Sequence, residues 1–302
     1  MEKRYKTILY EKDKATPDIA YITLNRPDKS NAISIGPDQM TGEIQDALKQ
    51  VNHDTGVKVV IIRGAGKNFC GGFDLAMVYR VYGGAPGVRP PQAARLQTDE
   101  EQVMGLPRAI LDCSKITISQ IHGWCVEAGM FMSESCDISI ASRTAKFAHR
   151  GQRLAFGGMP LVPLDFCKGH HKKMVELLIT GRTISGEEAE QIGIVTRAVE
   201  AEILDEEVYH LAKAICLLPR DVIALGKMHR KLTYQTTGMT NLLPHVVFHT
   251  LSTNLTYAPD EKEVVFLRDR EVIGEKAAFS RLHERFEEAL NKTKYFRSYT
   301  GD

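Results

Sequence analysis

Twice along this chain an apolar strand runs into a glycine-bearing turn and then a helix, at Val57–Arg80 and again at Ile116–Ser135. A strand apolar on both sides must be covered on both faces. A repeated strand, turn and helix therefore predicts an α/β protein of stacked β-β-α units rather than one open sheet. The two strands are Val57–Arg63 and Ile116–Ile121, and Ile138–Ala141 reads as a third. Ahead of them, Ile8–Leu24 carries two extended runs around the polar turn Asp13–Asp18, which predicts a hairpin. Pro37–Asn52 places Met40, Ile44, Ala47, Leu48 and Val51 on one face of a helix.

From about Lys172 onward the pattern is helical: Lys172–Thr180, Ser185–Ile192, Ile203–Leu217, Arg220–Tyr234 and a stretch ending near Asn291. Ser185 with Glu188 three residues on has the form of a capping box. The chain thus divides into an α/β core, residues 1–200, and a helical region, residues 201–302, placed to cover a site or to build an oligomer interface. Tyr79–Gln97, rich in glycine and proline, reads as a lid-like loop.

Composition excludes several function classes. Lys and Arg number 39 against 38 Asp and Glu, a net charge of +1. No general field draws such a chain to nucleic acid or to an anionic membrane. No apolar run approaches membrane-spanning length. The first residues lack a signal peptide's apolar core, and Glu11 and Asp13 argue against a transit peptide, so a cytoplasmic location is expected. The six cysteines form no C-x-x-C pair and read as reduced, mostly buried thiols. The run Lys168–Lys173 has two histidines but no carboxylate or cysteine at ligand spacing, so no metal site is expected.

The chemistry concentrates in His122-Gly123-Trp124-Cys125-Val126-Glu127-Ala128-Gly129-Met130-Phe131. It reads as a strand end, a turn of small residues and a helix start. Such a turn aims unpaired N–H groups and a helix dipole at one point, where a developing oxyanion is stabilised. Four motifs in order then carry a resemblance. Leu24-Asn25-Arg26-Pro27 with Asn31-Ala32-Ile33 comes first, and Phe69-Cys70-Gly71-Gly72-Phe73-Asp74-Leu75 second. The stretch from His122 to Cys136-Asp137-Ile138 is third, and Leu178–Ser185 with Glu188-Ala189 and Gly193-Ile194-Val195 is fourth. From about Tyr5 to Phe266 the chain resembles the crotonase (enoyl-CoA hydratase/isomerase) superfamily.

That resemblance implies a spiral of β-β-α units with a C-terminal helical region that assembles trimers, often paired into hexamers. It implies an acyl-CoA thioester as ligand, with no cofactor beyond the CoA carried on the substrate. The two oxyanion donors fall on the N–H groups of Phe73 and Ala128. Contacts to the substrate fall on Arg26, Lys29, Asn31, Ala32, Gly72 and Phe131, with Arg26 and Lys29 placed for CoA phosphates. Asp74 and Asp137 read as structural, Asp74 as a helix N-cap.

The pattern also departs from the family. Hydratases of this kind use two glutamates. The position of the first is Phe131, and no carboxylate occurs between Phe147 and Val162, where the second belongs. Phenylalanine transfers no proton and arginine stays charged. Three replacements are candidates: His149, whose intrinsic pKa suits proton transfer; Glu127, in place of a glycine of the usual triple; and Asp165, in the following loop. Glu134, one turn beyond Phe131, reads as a solvated surface residue. Hydration or isomerisation of an unusual enoyl-CoA is expected. Hydrolysis of a C–C bond in a β-dicarbonyl compound, and a CoA-binding or oligomer-forming protein without catalysis, are the alternatives.

Overall fold

The computed structural model describes residues 5–78, 91–154, 171–238, 243–252, 260 and 265–301. The predicted hairpin is β1, Ile8–Lys12, antiparallel to β2, Ile19–Leu24, with Ile8 opposite Leu24. A six-stranded sheet continues in parallel through β3, Val59–Gly64, and β4, Ile116–Ile121, then through the later strands Ile138–Ser142 and Arg197–Val199. Alternation splits its side chains between two layers. Ala20, Ile22, Leu24, Val60 and Ile62 enter the main core. Ile19, Tyr21, Val59, Ile61 and Ile118 pack on the opposite face, against Leu204, Val208 and Ala212 of a later helix.

A second, smaller sheet carries the repeat. After β4 the chain makes β5, Trp124–Val126, and after β6, Ile138–Ser142, it makes β7, Lys146–Ala148. β5 pairs in parallel with β7, Cys125 opposite Phe147, and β7 pairs antiparallel with β8, Ile184–Ser185. Earlier turns of the spiral touch the same sheet through single bridges, Ile33 to Phe73 and Cys70 to Cys125. Each unit thus gives one segment to each sheet before its helix, as the doubled pattern predicts.

Helix α1, Met40–His53, buries Met40, Ile44, Ala47, Leu48 and Val51. Gln92–Thr98 forms α2, continued by a π-helical turn, Asp99–Val103, and then by α3, Gly105–Leu111. The end of the expected lid is therefore helical, because Gln92-Ala93-Ala94-Arg95-Leu96 are strong helix formers. Residues 79–90 of that loop lie outside the described residues. Helix α4, Ala128–Ser135, follows β5, and α5, His171–Thr180, precedes β8. Helix α6, Gly186–Gln191, starts on the Ser185 cap, whose hydroxyl accepts the Glu188 N–H at 3.1 Å. Glu188 does not return the bond; its carboxylate, with that of Glu176, holds the buried Arg182. After β9, Arg197–Val199, come α7, Leu204–Ile215, α8, Arg220–Thr236, α9, Leu243–Ser252, α10, Val265–Ile273, and α11, Glu275–Asn291. No described helix is long and apolar enough to cross a membrane.

Candidate active site

Turns from two successive units meet on the small sheet. The Cys70 N–H donates to Trp124 O at 2.8 Å, and the Val126 N–H donates to Cys70 O at 2.9 Å. This pairing sets Gly72 against Glu127: a Cβ on Gly72 would lie 3.4 Å from the Glu127 Cβ, and Gly72 has φ +98°. Gly129 packs so near Cys70 that a Cβ there would lie 2.9 Å from the Cys70 Cβ. Glycine is needed at both positions for this approach.

The two expected donors follow from the same geometry. Gly72 O accepts from Ile33 N, and Asp74 N donates to Ile33 O, both at 2.8 Å. Peptide groups alternate along an extended chain, so the Phe73 N–H lies on the opposite edge. Ala128 is the first residue of α4, where N–H groups have no helical acceptor. Neither N–H has an acceptor among the described residues. Phe73 and Glu127, the residue before Ala128, line a cleft together with Gly72, Phe131, His149 and Arg150. Two unpaired donors, one at a helix N-terminus, can hold an oxygen that gains charge.

Glu127 has φ +46° and ψ −108°, outside even the left-handed helical region. A non-glycine residue held there costs about 1–3 kcal/mol. Its neighbours hold it in place. The Glu127 N–H donates to Ala148 O at 3.2 Å, and one carboxylate oxygen accepts the Arg150 N–H. The other, Oε2, lies 3.3 Å from His149 Nε2, a close approach off the line of a hydrogen bond. The His149 side chain is 2% exposed and that of Glu127 is 17% exposed, so the pair is sheltered yet borders the cleft. The Phe131 ring stands 5.4 Å from the His149 ring and 6.3 Å from the Phe73 ring, forming an apolar wall beside the pair. Neither Cys70 nor Cys125 offers a thiolate here, because burial pushes the Cys70 thiol up to about 12 and raises that of Cys125 well above its ordinary value.

The other expected site residues have partners within the protein. Arg26 donates to Ala32 O at 2.6 Å and to Asp74 Oδ2 at 2.7 Å. Asn31 is fully buried, accepts the Arg26 N–H and donates to Ala65 O and Asn68 O. Arg26, Asn31 and Ala32 are therefore engaged in closing the early loop, because its turn leaves carbonyls that need donors. Lys29 stays 56% exposed, 3.8 Å from Asp74, and is the cation of that loop still able to reach a ligand. Asp74 acts as an ion-pair partner instead of a side-chain cap; its own carbonyl accepts from Met77 and Val78. Asp137 is structural, holding Thr117 and Lys227. Glu134, expected in solvent, is 2% exposed because all of α4 is buried. Asp165 lies outside the described residues.

Two groups escaped sequence reasoning. His249 of α9 lines the cleft with its Nε2 3.9 Å from the fully buried Asp99, which also accepts from Thr250 Oγ1 at 2.7 Å. The only signal lies in the π-helical turn that starts at Asp99, a feature common at functional sites and invisible in sequence. The second group joins Arg153 to α11: the guanidinium donates to Glu287 at 2.8 Å and meets His283 Nδ1 at 3.2 Å. Burial, then the charges of Arg150 and Arg153, lowers His283 to about 3. Its folded pKa is below the unfolded one, so its stabilisation is present above the unfolded value of about 6.5 and fades as pH falls toward 3. Acidification from pH 7 to pH 5 is expected to destabilise the native chain by about 1–2 kcal/mol more than a His283→Gln variant, by urea unfolding.

The chain is similar to known proteins in sequence and in fold. Residues 14–253 match the family model described as enoyl-CoA hydratase/isomerase. A probable enoyl-CoA hydratase of Mycobacterium tuberculosis, EchA12, is 32% identical over 217 residues, 70% of this chain and 73% of that protein. A peroxisomal Delta(3,5)-Delta(2,4)-dienoyl-CoA isomerase of Arabidopsis thaliana is 29% identical over 216 residues, 70% of this chain and 76% of that protein. The crystal structure of an enoyl-CoA hydratase/isomerase from Xanthobacter autotrophicus Py2 superposes with a TM-score of 0.78 at 28% identity, covering 93% of this chain and 99% of that one.

Proposed function

The chain belongs to the enoyl-CoA hydratase/isomerase family, and from that premise we propose that it shifts a carbon–carbon double bond in an enoyl-CoA thioester, with Glu127 moving the proton. The observation that carries this reading is the meeting of Glu127 and His149 at 3.3 Å beside the two unpaired N–H donors. The Glu127 carboxylate takes a proton from the carbon next to the thioester carbonyl. The electron pair moves onto the carbonyl oxygen, which the Phe73 and Ala128 N–H groups hold as a dienolate. The same carboxyl then returns the proton two carbons further along the chain. No water enters and no atom is lost. His149 shelters Glu127 and lies against its Oε2.

Isomerisation is favoured over hydration because hydration needs water activated and a proton delivered at separate points. Among the described residues, the titratable groups next to the donors, Glu127 and His149, stand together with the Phe73 and Phe131 rings beside them, and His249 is the further imidazole that lines the cleft. The relative named as a dienoyl-CoA isomerase points the same way. In heavy-oxygen, heavy-hydrogen water, a 3-enoyl-CoA is expected to give its 2-enoyl isomer with no solvent oxygen, and with deuterium only to the extent that the Glu127 carboxyl exchanges with solvent before it returns the proton, read by mass spectrometry. Solvent oxygen in the product would move the assignment to hydration or hydrolysis. Binding with neither exchange nor conversion across a panel of enoyl and β-ketoacyl thioesters would make it a non-catalytic binder.

Self-assembly also belongs to this reading. On α8, Val222, Leu225, Met228 and Leu232 recur at helical spacing and are 53–71% exposed, an apolar stripe apt for a second copy. We assign this stripe to the trimer interface. Leu225→Glu is expected to convert the assembly to monomer in light scattering.

A further inference from the structure

Three sheltered arginines come with carboxylates. Arg26 has Asp74 at 2.7 Å, Arg153 has Glu287 at 2.8 Å, and Arg182 has Glu176 at 2.5 Å together with Glu188. Arg150 differs from these three. It is half-buried and lines the cleft, yet among the described residues no carboxylate pairs with its guanidinium. One terminal nitrogen donates to Thr183 Oγ1 at 3.1 Å, and the plane lies over the Trp124 ring, 5.4 Å from its centroid. Its Nε is buried and has no acceptor. The nearby Glu127 binds the backbone N–H of Arg150, and Glu287 is already paired with Arg153.

A half-buried cation without a counter-ion is unfavourable until something supplies the anion. Arginine's planar fork suits a carboxylate or phosphate held by paired hydrogen bonds. A CoA thioester offers phosphates, but they sit at the far end of the pantetheine arm. Arg150 directly follows His149, on the wall where the acyl carbons lie in the proposed reaction. We propose that Arg150 receives a carboxylate carried on the acyl group, so that the preferred substrates are monothioesters of dicarboxylic acids. This assignment rests on the thioester reading above. The Trp124 ring and Thr183 fix the plane of the guanidinium, so the cation is set before the ligand arrives.

The test is calorimetric titration of the full chain with glutaryl-CoA and valeryl-CoA, which share five acyl carbons and differ in the terminal group. Both are saturated, so a double-bond shift consumes neither. Glutaryl-CoA is expected to bind at least tenfold more tightly, in line with one hydrogen-bonded charge pair. Arg150→Gln should bring the ratio to within about threefold, and Arg150→Lys, which keeps the charge but loses the fork, should leave it between. The wild-type ratio needs no variant, so a misfolded mutant does not block the answer. Equal binding by the wild type, or a ratio that survives Arg150→Gln, overturns the inference. So does an unchanged ratio with an equal loss of affinity for CoA itself, since the guanidinium would then read phosphate. If neither thioester binds, the thioester reading falls and takes this one with it. If valeryl-CoA binds and the carboxylate adds nothing, only the role of Arg150 falls.

Discussion

Glu127→Gln is expected to lower turnover of an enoyl-CoA by about 10²–10⁴-fold, the range for losing a positioned acid–base group. The amide has the same shape and can still accept the Arg150 N–H, so folding should survive. Substrate affinity should change little, because the oxyanion donors are main-chain groups. Steady-state kinetics should therefore show kcat falling with KM near its wild-type value. Loss confined to KM would move Glu127 from proton transfer to binding. A paired measurement checks the backbone. Glu127→Ala and Glu127→Gly both lose the carboxylate, but only alanine keeps a side chain at φ +46° and ψ −108°. The glycine variant should be more stable by about 1 kcal/mol or more, although glycine normally weakens a folded chain. The reverse order would mean that the position carries no strain.

The second large effect is expected at a residue with no chemistry of its own. Gly123→Ala should destabilise the protein by about 3 kcal/mol or more. A Cβ at Gly123 would stand 2.1 Å from Lys67 O and 2.7 Å from Asn68 Oδ1. Neither can easily withdraw. The Phe69 N–H donates to His122 O at 2.8 Å, and Asn68 Oδ1 accepts the Trp124 N–H at 3.0 Å. Asn68 O also accepts from Asn31 at 2.7 Å. Relief of the clash would separate successive turns of the spiral and move the Phe73 and Ala128 donors apart. Gly238→Ala is the control: φ is +74°, but nothing lies within 4 Å of the added carbon. Equal shifts in the urea midpoints of the two variants would show that φ alone matters and that the packing account is wrong.

Much of this was legible in the sequence because it rests on local rules. Alternating and helical periodicity placed β1 to β4, the face of α1 and the Ser185 cap. Glycines marked the two turns that carry Phe73 and Ala128. Glu127 and His149 could be named separately, each as a departure from a pattern. Their meeting could not, because it depends on Val126 lying opposite Ala148 across β5 and β7. The internal partners of the early loop's polar residues were hidden for a related reason. Arg26 and Asn31 have the chemistry to bind a ligand, but the loop folds back so that its own carbonyls and Asp74 meet them first. Glu134 misled because burial of α4 on every side leaves no outer face for a solvated carboxylate. Asp99 and His249 come from segments 150 positions apart, and no spacing announces such a pair.

The small sheet has a consequence for how the protein fails on heating. β5 and β7 are three residues long and β8 is two, whereas the central strands of the large sheet run to six. Short ladders open with less free energy than long ones buried in the main core. Glu127 follows one of these short strands, and His149 and Arg150 follow another. Warming should therefore separate the proton-moving groups while the large sheet is still intact, and silence should come before melting. Molecules in that condition are folded by any measure of bulk structure, and a thioester lying across both strands would close them again.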